Sequence, residues 1–144
     1  MNEVYIDISV LGAYYCPEAL SGLAEECLQR VAVPVISLLT EVEFFSLVTR
    51  KKRVGDFGEA QARNILMEFQ SHLESGLYKV LVHSFDDYMR AREMIGSMKS
   101  SLRTLDALHL AIAKSEDIPI ATADLLLVQA ARRLKIKVVS LKAD

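Results

Sequence analysis

Short runs of aliphatic and β-branched residues alternate with longer segments of helical spacing along the whole chain. That alternation restricts the fold more than any other feature. Val4 to Ile6, Val33 to Ser37, Tyr78 to Val82, Pro119 to Thr122 and Ile136 to Leu141 read as strands. Their near-continuous apolar character fits strands covered on both faces, as in parallel sheets. The helical segments fall between them. Ser9 to Tyr15 reads as a short helix with Ser9 as its cap, and Pro17 opens a second helix reaching about Val31. Leu39 to Arg53 is a helix with a basic end stopped by Gly55. From Asp56 to Ser75, Ala62, Ile65, Leu66, Phe69 and Leu73 recur on one helical face, and Gly76 closes the segment. Ser84 to Asp87 looks like a capping box. Thr104 starts a helix through about Lys114, and Leu125 to Leu134 forms the last. Right-handed crossovers then put helices on both faces of one parallel sheet, an α/β/α sandwich. With no repeat, linker or low-complexity stretch, residues 1–144 read as one domain.

Composition narrows the function. Hydrophobic residues make up 51% of the chain, too many for disorder. A net charge of -2 excludes a strongly basic field that would coat nucleic acid, though local basic groups beside an acidic site remain compatible with a nuclease. Cys16 and Cys27 are too few for a disulfide framework and read as buried free thiols. The acidic start and the early Asp7 do not fit a signal peptide, and no apolar run reaches the roughly 18 residues of a membrane span. A cytoplasmic protein is expected.

Within this apolar chain, carboxylates stand at strand ends and helix starts. Asp7 follows the first strand, Asp124 follows the fourth, and Asp106 lies in the first turn of a helix that is apolar on nearly all sides. Strands of such sheets deliver functional groups at their carboxyl ends. Clustered carboxylates repel one another and become stable around a hard divalent cation. Each also has a plainer reading. Asp7 and Asp124 could simply cap helices, and Asp106 could complement a helix dipole. For Asp7 the functional reading is favoured, because βα loops carry function. For Asp124 the two are equal on local grounds. Glu41 and Glu43 share one helix, and periodicity decides only weakly which faces inward. Thr122 and Ser9 could position a phosphate or a water. Arg50, in the basic run Arg50 to Arg53, and Arg103 could contact substrate; for Arg103 an ion pair with a carboxylate is favoured. His109, three residues after Asp106, reads as a satisfied core histidine rather than a metal ligand, and zinc is not indicated. Tyr14, Tyr15, Phe44 and Phe45 could stack bases but more often such residues are core. No glycine-rich phosphate loop is present.

The segments Tyr5 to Leu11, Ile36 to Glu43, Leu102 to Ala111 and Ala121 to Asp124 resemble, in order, those of the PIN domain. More narrowly they look like the single-domain toxin ribonucleases of the VapC type. The third segment is the most specific. Ile8 departs from the family, which often has Thr there, while Ser9 keeps a hydroxyl beside Asp7. The resemblance implies a Rossmann-like parallel sheet and an acidic pocket of Asp7, Glu43, Asp106 and Asp124 holding Mg²⁺ or Mn²⁺. It is also what favours Glu43 over Glu41. It implies hydrolysis of single-stranded or structured RNA by water, leaving a 5′-phosphate and a 3′-hydroxyl. It further implies a small antitoxin partner and a homodimer, for which the apolar helices between Leu20 and Leu73 offer surface. The competing expectation is a PIN-like module that binds RNA or protein without cutting. An aspartyl phosphotransferase would need a second Asp two residues after Asp7, where Ser9 stands.

Overall fold

The computed structural model describes residues 2–142. Strands β1 (Glu3–Ile6), β2 (Val33–Ser37), β3 (Lys79–Leu81), β4 (Ile120–Thr122) and β5 (Val138–Ser140) form one sheet in the order β3-β2-β1-β4-β5. Every pairing is parallel, with Tyr5 opposite Val35 on one side and Ile120 on the other. The helices are α1 (Ile8–Tyr15), α2 (Ser21–Gln29), α3 (Leu38–Arg53), α4 (Glu59–Glu74), α5 (Phe85–Gly96), α6 (Thr104–Ser115) and α7 (Leu125–Arg133).

The period of two along β1 sorts the core into two halves. Val4 and Ile6 point to one layer, where α1 to α4 contribute Val10, Leu11, Ala24, Phe44, Val48, Ile65 and Phe69. Tyr5 points to the other, against Met94 of α5, Leu110 of α6 and Leu127 of α7. The helix α6 is buried from Ala107 to Ala113, as its unbroken apolar sequence requires. On the first face Tyr15 meets Phe44 and Phe69 edge-on at 5.1 and 5.5 Å, and Phe44 lies 4.3 Å from Phe69. Gly12 lets α1 approach α3: a Cβ there would come within 2.9 Å of Leu47 Cδ2.

Caps fix where the chain turns. Ser37 and Thr40 form a reciprocal capping box on α3, and Ser84 and Asp87 form another on α5, each cap stabilising by about 1 kcal/mol. Gly55 and Gly76 take φ of +88° and +78° after α3 and α4, the left-handed conformation that ends a helix cheaply only for glycine.

Three local expectations are corrected. Asp7, not Ser9, caps α1: its carboxylate accepts from the Ser9 backbone N–H. The helix expected from Pro17 begins only at Ser21. Side chains take over the preceding turn: Glu18 N–H donates to Ser21 Oγ, Leu20 N–H to Glu18 Oε1, and Ser21 Oγ to the Ala13 carbonyl. The outer strands β3 and β5 are shorter than their apolar runs. Cys16 and Cys27 are buried free thiols, and burial pushes both up from the usual thiol range. Among the described residues no helix is long and apolar enough to cross a membrane.

Candidate active site

The chain runs β1 to β2 to β3 in one direction across the sheet and then returns to β4 beside β1. Crossovers on the two sides therefore leave by opposite faces, opening a crevice beyond the carboxyl ends of β1 and β4. Asp7 directly follows β1, and Asp124 stands two residues beyond β4. Each caps a helix, α1 and α7, where unpaired N–H groups favour negative charge. Asp106 enters from the first turn of α6, and Glu43 from the second turn of α3. All four line one cavity of about 420 Å³, with Ile8, Ser9, Arg103, Thr104, Leu105 and His109.

Asp7 is the most constrained. It is 5% exposed, and its Oδ2 accepts from Ser9 Oγ at 2.6 Å and Thr122 Oγ1 at 2.9 Å. Those hydroxyl oxygens in turn accept from backbone: Ser9 Oγ from Ala123 N–H and Thr122 Oγ1 from Asp124 N–H. Ser9 and Thr122 thus stitch β1 to the β4–α7 loop and aim Asp7. Their protons are engaged by Asp7, which makes them supports of a carboxylate rather than free substrate contacts. Asp124 Oδ1 accepts from Leu126 N–H.

Asp106 shows the field of the cluster. Burial pushes its carboxyl up, and the charges of Asp7 and Asp124 push it further, against the lowering pull of Arg103. Arg103 Nε lies 3.5 Å from Asp106 Oδ2 on an 83% exposed side chain, so the expected ion pair forms at the rim. Solvent screening keeps such a pair weak.

Glu43, not Glu41, lines the cavity, and it meets His109 there. His109 is 1% exposed, and its Nε2 lies 2.5 Å from Glu43 Oε1. An ionised carboxylate only accepts, so Nε2 bears the proton and donates. On the far side of the ring, Nδ1 lies 2.6 Å from the fully buried Tyr5 hydroxyl. That hydroxyl also lies 2.8 Å from Ser37 Oγ and 3.3 Å from Thr40 Oγ1. Burial pushes the Tyr5 phenol above its ordinary range. With both ring nitrogens engaged, His109 has no lone pair left for a metal.

The donor set is all carboxylate oxygen, with one exposed guanidinium beside it, which suits a hard divalent cation rather than zinc. As the side chains stand, no three His, Cys, Asp or Glu groups among the described residues close around a point that could hold an ion. The fit therefore lies in donor chemistry and in convergence on one cavity. Arg50 is exposed and lines neither this cavity nor its neighbour, a groove of about 490 Å³ that shares Ile8, Ser9 and Asp124 with it. Lys51, from the basic run Arg50 to Arg53, and Lys142 line that neighbour instead, and Lys142 was not singled out by the sequence. Nor was Tyr5. Its one legible signal is a hydroxyl in the apolar run Val4 to Ile6, which needs a buried partner.

No curated protein matches the chain. Among solved structures, VapC20 of Mycobacterium tuberculosis, a sarcin-ricin loop cleaving toxin, superposes with a TM-score of 0.71 at 18% identity, covering 88% of this chain and 94% of that one. VapBC2 of Rickettsia felis, bound to a DNA fragment from its promoter, gives 0.68 at 14% identity over 97% and 98% of the two chains. FitAcB from Neisseria gonorrhoeae gives 0.66 at 16% identity over 98% of each. At these identities the likeness is one of fold. The family model of the PIN domain matches residues 4–133, nearly the whole chain, and so the protein belongs to the PIN domain family.

Proposed function

We propose that this chain is a metal-dependent endoribonuclease that cleaves single-stranded or structured RNA, and that it is the toxin of a toxin–antitoxin pair. The observation that carries the reading is the convergence of Asp7, Glu43, Asp106 and Asp124 on one cavity at the switch point of the sheet. Asp7, Glu43, Asp106 and Asp124 would hold Mg²⁺ or Mn²⁺. When bound, the ion activates a water as nucleophile and offsets charge developing on the phosphate. The protein's own part is to keep the carboxylates aimed at one cavity. Ser9 and Thr122 orient Asp7, the α1 and α7 N-termini favour the charges of Asp7 and Asp124, and His109 holds Glu43. Arg103 at the rim is placed to meet an RNA phosphate once a cation relieves Asp106 of its pairing role.

The partner follows from the same charge. A small antitoxin would block the acidic cavity by inserting an Arg, and the solved VapBC2 and FitAcB assemblies support such a partner. A homodimer in the cytoplasm completes the proposal. Leu38, Val42 and Phe45 stand at i, i+4 and i+7 along α3 and are 49%, 68% and 40% exposed, an apolar stripe suited to a second copy.

The test is incubation of the purified protein with labelled single-stranded and hairpin RNAs in Mg²⁺, in Mn²⁺ and in chelator. Cleavage with either metal and none with chelator is expected. Cleavage that persists in chelator, or none under any condition, would remove the proposal.

A further inference from the structure

The buried polar chain beneath the cavity does something the carboxylates cannot do for themselves. Glu43 sits on an α3 side chain with three rotatable bonds, unlike Asp7, which is locked by its own helix cap. A single hydrogen bond, from His109 Nε2 at 2.5 Å, fixes its Oε1, and no other bond to Glu43 occurs among the described residues. The His109 ring cannot drift, because it is buried in α6 and the Tyr5 hydroxyl closes its other edge at 2.6 Å. Tyr5 is held in turn by Ser37 and Thr40, the two residues that cap α3. The chain of contacts therefore runs from the cap of α3, through β1 and α6, and back to Glu43 on α3.

We propose that His109, set by Tyr5, is the positioning residue that holds the Glu43 carboxylate at the metal-binding cavity. The proposal rests on the nuclease reading above. It assigns no chemistry to His109 itself, which meets neither metal nor RNA. Its effect passes through Glu43, as partners of metal ligands commonly set ligand orientation and basicity.

The test uses the full chain and Mn²⁺ alone as the probe. Mn²⁺ affinity is measured by calorimetry and by the spin signal of the bound ion, for wild type, Tyr5→Phe, His109→Gln and His109→Leu. Thermal melts confirm that each variant folds. Loss of the N–H donor in His109→Leu is expected to weaken Mn²⁺ binding by ~10–100-fold, while His109→Gln, which keeps a donor, recovers most of the loss. Tyr5→Phe, which folds with the same ring in place, is expected to weaken binding in the same direction by a smaller factor. At saturating Mn²⁺ the RNA KM stays unchanged while kcat falls. Wild-type Mn²⁺ affinity in folded His109→Leu and Tyr5→Phe would overturn this inference and leave the nuclease reading standing. A wild-type protein that binds no Mn²⁺ and cuts no RNA would overturn both.

Discussion

Asp106 carries the electrostatic tension of the cavity, and its pH dependence has a definite sign. Burial and the facing charges of Asp7 and Asp124 raise its carboxyl above the ordinary range. The folded state therefore binds this proton more tightly than the unfolded chain does. The stability it contributes is full below the ordinary carboxylate range and is lost as pH rises through the raised value. Ionised Asp106 is then a cost to the metal-free fold. Asp106→Asn is expected to raise the melting temperature in chelator at roughly pH 7, with the gain shrinking towards about pH 4. A lower melting temperature at neutral pH would contradict this. The same logic makes divalent metal stabilise wild type more than the variant, since the ion offsets the repulsion that Asn has already removed. His109 illustrates what the residue scale hides. Its place three residues after Asp106 on an apolar helix marks it as buried, and a buried imidazole needs partners for both nitrogens. Sequence cannot say that those partners are Glu43 and Tyr5, which lie 66 and 104 positions away.

At the scale of elements, the packing of α4 on α3 concentrates stabilisation in Phe69, which is fully buried between Tyr15, Phe44 and Tyr78. Phe69→Ala is expected to cost about 3–5 kcal/mol, read from urea unfolding, because it leaves a cavity that rigid aromatic neighbours cannot refill. A loss below roughly 1 kcal/mol would mean the layer repacks. Element types were legible because periodicity, caps and glycine stops agreed: β2 spans Val33–Ser37 as read, the α5 capping box forms, and Gly55 and Gly76 end their helices. The late start of α2 was not legible. Pro17 is compatible with a helix start, but Glu18 and Ser21 satisfy the local backbone first. Strand ends shifted at β3 and β5 for a different reason. Each is an edge with a ladder on one side only, so pairing stops before the apolar run does.

Across the whole molecule, the order β3-β2-β1-β4-β5 explains why carboxylates far apart in the chain share one cavity. The crevice between β1 and β4 receives Asp7 and Asp124 directly, and α6 and α3 bring Asp106 and Glu43 from opposite faces. The measurement that tests this account most directly is Mn²⁺-dependent cleavage of single-stranded RNA by wild type and Asp7→Asn, beside their melting curves. Asn caps helices about as well as Asp and still accepts from Ser9 and Thr122, so the fold should stand. The account predicts near-equal melting temperatures and a fall in cleavage beyond the roughly 100-fold typical of losing only a ligand's partner. Cleavage by folded Asp7→Asn at the wild-type rate would contradict it.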